Sequence, residues 1–158
     1  MSRRDQIRMT GDELDAFLRA SRTVTCATLG PNGRPHLVPL WFVPHDGAIA
    51  CWTYRRSQKV ANLRREPRAT LQFEDGTDYA ELRGATMECD AEVVDDASRT
   101  AAVGLALTAR YALDGGSAAE VPAELVEFVR GQAEKRVALL FRPTRTVTWD
   151  HRKLGGTY

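Results

Sequence analysis

The chain has no apolar run long enough to cross a bilayer. About 18 consecutive apolar residues are needed, and the longest runs here are Val38 to Pro44 and Val137 to Phe141. The N-terminal residues carry charge with no apolar segment behind them, so no secretory signal is expected. Cysteine is scarce. Cys26, Cys51 and Cys89 are odd in number and widely spaced, which excludes a disulfide framework and a CxxC redox or metal site. Each falls in a strand-like run, so buried free thiols in a reducing, cytoplasmic compartment are expected. Only three histidines occur, His36, His45 and His151, and they share no metal-ligand spacing, so no metal site is expected. GxSxG, Walker A and GxGxxG sequences are missing, and no nucleophile-and-base set stands out. An excess of one charge is missing too. Twenty-two basic residues face 21 acidic ones, a net charge of +1. That balance argues against a generic nucleic-acid binder.

What is present fits one domain spanning residues 1–158. A chain of this length buries about 70 % of its unfolded surface. Leu14, Phe17 and Leu18 form an i, i+3, i+4 stripe in a helix over 11–20, with Thr10 as candidate cap. The period then changes. Strands are expected over 22–29, 36–43, 48–54 and 69–73, and a long strand or bent pair over 79–94. Asn32-Gly33, Asp46-Gly47 and Asp75-Gly76 read as tight hairpin turns between them. Gly84 reads as a bulge. Ser57 to Arg65 reads as a helix stopped by Pro67. Helices are expected over 96–113 and 122–132, the second with Leu125, Phe128 and Val129 on one face. Two strands around Pro143 close the chain. Successive hairpins imply a meander of six or seven antiparallel strands. With helices at its flanks, the fold class is mainly β (α+β), a small barrel with a helical insertion around 96–132.

The neutral total conceals a local excess. Residues 55–68 hold six basic residues and one acidic residue, a net +5, and the remainder of the chain therefore sums to −4. The basic residues gather where a strand ends and a helix begins. Ser57 is the candidate N-cap, Lys59 falls in the first turn, and Val60 and Leu63 point to the core. Free N–H groups and the dipole at such an N-terminus favour an anion. Arg55, Arg56 and Lys59 would supply charge-assisted bonds to it. Cations in the first turn oppose the dipole. Two readings stay open at this level: a solvated basic helix face, or a phosphate site. Arg64, Arg65 and Arg68 lie at the helix C-terminus, where positive charge is stabilising without a ligand.

Trp41 and Phe42 precede the Asp46-Gly47 turn; Trp52 and Tyr54 follow it. If that turn pairs their strands, the four aromatics are neighbours split over two faces. Aromatics beside a phosphate site suit a flat ring with a phosphate tail, and ordinary core packing is the competing reading. Pro39, within Val38-Pro39-Leu40-Trp41, marks an edge or a bulge. A free strand edge can hold a heterocycle through its backbone. A planar-ligand site without catalytic motifs implies that a cofactor carries the chemistry.

The segment from Trp52 to Ala69 resembles a signature of the split-β-barrel flavin and deazaflavin oxidoreductases, the pyridoxamine-5′-phosphate-oxidase-like superfamily. Its Arg55-Arg56-Ser57-Gln58-Lys59, Asn62-Leu63 and Glu66-Pro67-Arg68 match the family's run of basic residues, lysine, Asn-Leu and acid-Pro-Arg. The likeness extends over roughly residues 12–95, including Asn32-Gly33-Arg34-Pro35-His36 and Val38-Pro39-Leu40-Trp41-Phe42. The tail from Trp149 to Tyr158 is similar to one in an actinobacterial branch associated with the deazaflavin coenzyme F-420. The tail's His151-Arg152 pair lacks the surrounding pattern that clamps a pyridoxal substrate, so oxidation of pyridoxamine phosphate is not implied.

The resemblance implies a split barrel in which Arg55, Arg56, Ser57 and Lys59 hold the cofactor phosphate. Trp52 and Thr53 belong to the same signature. The backbone from Val38 through Pro39 and Leu40 to Trp41 faces the ring. Members are homodimers with the cofactor at the subunit interface, where Tyr79 occupies a position at which the partner contributes an aromatic. The first expectation is an oxidoreductase passing hydride between reduced F-420 and a small conjugated acceptor such as an enone or quinone. Tyr79 or Tyr54 is the candidate proton donor. The alternatives are an FMN-dependent oxidoreductase of the same fold, and a non-catalytic carrier of flavin, deazaflavin or haem. Haem would require His36, His45 or His151 as ligand.

Overall fold

The computed structural model describes residues 2–155; Gly156, Thr157 and Tyr158, the end of the tail motif, lie outside the described residues. Helices α1 (Arg3–Gln6) and α2 (Gly11–Ala20) come first. A capping box opens each, Ser2 with Asp5 and Thr10 with Glu13. The stripe on α2 turns inward and buries Phe17 and Leu18. There follow β1 (Val24–Leu29), β2 (Pro35–Leu40), β3 (Val43–His45), β4 (Ala48–Tyr54), α3 (Gln58–Arg65), β5 (Arg68–Asp75), β6 (Arg83–Val94), α4 (Ala97–Ala112), α5 (Ala123–Ala133) and β7 (Arg136–Asp150). No helix among the described residues is long and apolar enough to cross a membrane.

The strands form one antiparallel sheet in the order β2-β1-β5-β6-β7-β4-β3. Its two edges are β2 and β3, yet only Trp41 and Phe42 separate them in the chain. Laid flat at ~4.8 Å per strand, the edges would stand about 29 Å apart. Three Cα steps span at most ~11 Å. The sheet must therefore curl until its edges approach, which gives the expected mainly-β split barrel. The main core fills the curl, with Phe42, Phe73, Phe141, Leu71 and Leu139 fully buried. A second cluster lies on the other face, where Ala50, Val94, Ala138 and Leu140 pack under Val103 and Leu107 of α4.

Several local expectations are corrected. The sheet is not a meander, because β1 pairs with β5 and β4 with β7. Asp46-Gly47 is the one turn of the three with the expected positive φ at both residues, 46° and 73°; the Asn32-Gly33 hairpin also closes tightly, the Gly33 amide bonding the Gly30 carbonyl at 3.1 Å. In the first turn only Gly33 has positive φ, and Asn32 accepts a hydrogen bond from the Arg34 amide instead. The Asp75-Gly76 turn widens to the loop 76–82, and Tyr79 sits in a single 3-10 turn (Tyr79–Glu81) rather than in a strand. The expected strand over 36–43 breaks at Trp41, where the chain crosses between edges. The bulge falls between Glu88 and Cys89, opposite Thr144, and β7 runs through as one strand. Gly84 instead lies under an indole: a Cβ there would stand 2.3 Å from Trp149 Cζ2. On α5, Val129 is buried but Phe128 is exposed, so the expected apolar face is only partly covered.

Candidate anion and cofactor site

Strand β4 delivers alternate side chains to opposite faces. Ile49 and Cys51 enter the main core, while Ala50 and Trp52 join the cluster under α4. Thr53 follows Cys51 and is buried. The chain then turns through Arg55-Arg56, the Ser57 amide bonds the Tyr54 carbonyl at 3.0 Å, and α3 begins. Val60 and Leu63 anchor α3 to the core, as their spacing requires. Asn62 is fully buried between them and fastens the helix to β1, donating to Thr28 Oγ1 at 3.0 Å.

The corner between β4 and α3 leaves polar groups unused. Ser57 has the extended backbone of an N-cap, φ −72° and ψ 151°, but its hydroxyl caps nothing. Its Oγ is buried and has no hydrogen-bond partner among the described residues. The first-turn amides of Gln58 and Lys59 likewise meet no acceptor among the described residues. Lys59 Nζ donates to Thr53 Oγ1 at 2.9 Å, and no carboxylate stands within ion-pair distance of it among the described residues. Burial holds its pKa below the ordinary lysine value. The neighbouring thiols give no counter-charge. Burial pushes Cys26 up to about 12 and Cys51 well above its usual value, so both stay protonated at neutral pH.

The other basic residues of 55–68 are mostly occupied. Arg55 and Arg64 share the carboxylate of Asp95, at 2.9 and 2.8 Å. Arg55 also donates to the Arg136 carbonyl. Arg65 donates to the Leu29 carbonyl, and Arg68 forms a fork with Glu66. Arg56 is exposed and has no polar partner among the described residues. Arg56 and Lys59 are thus the two cations of the segment that meet neither a carboxylate nor a backbone carbonyl among the described residues. The excess charge resolves into two available cations beside an unused helix N-terminus and an unbonded serine. That arrangement can take an oxyanion.

Strand β2 is a sheet edge, as Pro39 suggested, and one of its backbone edges is unpaired. Val38 and Leu40 pack inward, whereas Leu37 is exposed. The four aromatics do not form one group. Trp41 stacks on Tyr111 of α4 at 4.4 Å and 4°. Phe42 is core and meets Phe73 edge-on. Trp52 and Tyr54 share the Arg136 guanidinium, at 4.5 and 4.3 Å, on the face of β4 opposite Thr53. Tyr79 lies far from the corner within the chain. Tyr54 pairs with Arg136 at the start of β7, whereas the Tyr79 loop adjoins Arg83, paired with Asp150 at the end of β7. Its ring tilts against His151 at 5.0 Å. The structure therefore gathers Thr53, Arg56, Ser57 and Lys59, with Arg55 close by but engaged. It does not gather the Trp52 and Tyr79 side chains with them. Asp95 and Tyr111 were missed, and Asn62 was noted only within the Asn62-Leu63 motif and not as a site residue; its place between the core positions Val60 and Leu63 was the one signal available.

The pyridoxamine 5′-phosphate oxidase family model matches residues 10–149. The chain belongs to this family. No curated protein matches the chain. Among solved structures, a conserved hypothetical protein of Mycobacterium tuberculosis is 39 % identical, with a TM-score of 0.88, over 100 % of this chain and 95 % of that one. The haem storage protein of Vibrio cholerae is 16 % identical, with a TM-score of 0.67, over 87 % and 94 %. An F-420 reductase is 24 % identical, with a TM-score of 0.62, over 84 % and 94 %. The latter two likenesses are of fold, and within this one fold the neighbours have different tasks. No group of three potential metal ligands is gathered among the described residues.

Proposed function

We propose that the protein is an oxidoreductase that holds the phosphate of coenzyme F-420 at the β4–α3 corner and serves hydride transfer to a small conjugated acceptor. The buried, unbonded Ser57 Oγ beside Lys59 carries this reading. It is the orphaned donor that a phosphate oxygen would satisfy, next to two cations that meet no carboxylate among the described residues. Ser57, Lys59 and Arg56 would bind the phosphate, and Thr53 would hold Lys59 in place. Arg55 would join by leaving Asp95. The free backbone edge from Val38 through Pro39 and Leu40 to Trp41 would bind the flat ring. When bound, the deazaflavin supplies a hydride equivalent to an enone or quinone.

The working unit is a homodimer with the ring between subunits. Tyr79 cannot serve the corner of its own protomer, so its part in the site is supplied from the partner. Its phenol is then the proton source, whereas Tyr54 is stacked against Arg136 on the far face of β4. The buried free thiols suit a reducing cytoplasm. F-420 is preferred to FMN on the likeness of the tail, since both present a phosphate and a tricycle.

The test is to mix the purified protein with reduced F-420 and then with menadione or a cyclohexenone. Acceptor-dependent return of oxidised deazaflavin absorbance is expected. Tight binding without oxidation by any acceptor identifies a carrier instead. A yellow protein that releases FMN on denaturation selects the FMN enzyme.

A further inference from the structure

The chain leaves β1–β2 pairing at a fork that α4 fills. In that register Val24 faces Leu40, and two residues further on the facing positions are Arg22 and Phe42. There the ladder stops, because β2 ends and the chain crosses to β3. The Tyr111 hydroxyl stands in the gap. It accepts from the Phe42 amide at 3.1 Å and donates toward the Arg22 carbonyl at 2.8 Å, with the Phe42 carbonyl at 3.1 Å. A single hydroxyl thus replaces the hydrogen bonds that the next rung would have made. The Tyr111 ring stacks on Trp41, and the Arg22 guanidinium covers the ring at 4.5 Å. The adjacent Arg110 closes the end of α2 through the Leu18 and Ser21 carbonyls and lies 4.6 Å over Phe42.

We infer that Tyr111 is a positioning residue for the ring-binding edge, so that α4 sets the geometry of the cofactor ring without touching the phosphate corner. This rests on the cofactor reading above. The edge from Val38 to Trp41 can hold a heterocycle only if its backbone groups keep a fixed direction. Its far end is tied to Arg22, just ahead of β1, by the Tyr111 hydroxyl and to α4 by the Trp41 stack. The phosphate corner is fixed separately, by Asn62 on Thr28 and by the α3 core contacts. Loss of the Tyr111 hydroxyl therefore weakens ring binding and leaves anion binding unchanged.

The experiment uses full-length protein and two variants. Tyr111→Phe keeps the stack and removes the hydroxyl; Tyr111→Leu removes both. Affinities for F-420 and FMN are measured by tryptophan fluorescence, and inorganic phosphate is measured as a competitor. Amide exchange of the cofactor-free protein is followed at Phe42 and along β2. Expected is at least a tenfold weaker affinity for the ring-bearing ligand in Tyr111→Leu and a smaller loss in Tyr111→Phe. The phosphate competition constant stays within twofold of wild type, and exchange at Phe42 is faster in both variants. Equal weakening of the ring-bearing ligand and of inorganic phosphate, or unchanged ring affinity whatever the exchange rate, overturns the role of Tyr111 alone. If the wild type binds neither F-420 nor FMN, the cofactor reading fails, and the positioning role fails with it.

Discussion

Lys59 reaches back across the β4–α3 corner to donate to Thr53 at 2.9 Å, and it does so without a carboxylate partner among the described residues. A half-buried ammonium held by a neutral hydroxyl is an unusual resting state, because burial disfavours its charge. An arriving phosphate would reverse that penalty. The same lysine lies in the first turn of α3, where the dipole opposes it, and no acid stands in that turn.

The pH dependence of anion binding follows from this. Burial lowers the Lys59 pKa in the free protein. Bound phosphate favours the charged form and raises it again. Affinity is therefore full below the free-state pKa and falls as pH rises through it, at a pH below the ordinary lysine range. Lys59→Arg should flatten the profile, since arginine stays protonated. Titrations of FMN or F-420 from pH 7 to 10.5 check this. A decline at the same pH in both proteins would assign it to another group.

Asn62→Ala removes the side-chain link from α3 to β1. It leaves the buried Thr28 hydroxyl without that donor and Gln58 without its acceptor. A loss of about 1–3 kcal/mol is expected from unsatisfied buried groups. Denaturant unfolding measures it. Because α3 carries the corner, affinity for the phosphate-bearing ligand should fall as well. A fully stable variant would show that Val60 and Leu63 hold the helix unaided.

Gly84→Ala tests the packing of the β6–β7 ladder. A Cβ would lie 2.3 Å from Trp149 Cζ2 and 2.5 Å from the Phe73 carbonyl oxygen. Backbone lies on one side and a large ring on the other, so relief requires the indole to move. Overpacking of this kind costs about 1–3 kcal/mol. A lowered melting temperature with altered Trp149 fluorescence is the expected outcome, and an unchanged melting temperature would mean that the indole yields freely.

The elements were largely legible in the sequence because their signals are local. The α2 stripe, the Asp46-Gly47 turn, the place of Ser57 at the start of α3 and the two later helices need only neighbouring residues. Strand order was not legible. The crossing at Trp41-Phe42 is set by closure of the sheet, and nothing within the segment 36–43 marks it. The site divides in the same way. Lys59 and Ser57 could be read from a charge excess at a strand-to-helix junction. Arg55 could not be seen as engaged, because Asp95 is remote in the chain. Tyr111 was illegible for the same reason, being 69 residues from the amide it satisfies.

Ser57, Lys59 and Arg56 are proposed to form a phosphate site for a flavin-type cofactor. Calorimetric titration of F-420 and FMN into wild type, Lys59→Ala and Arg56→Ala tests it most directly. A charge-assisted bond is worth about 1.5–3 kcal/mol, so Lys59→Ala should weaken the preferred cofactor about tenfold or more. Arg56→Ala should weaken it less, since that side chain is exposed. Affinity in Lys59→Ala equal to wild type, with the fold intact by circular dichroism, would contradict the assignment.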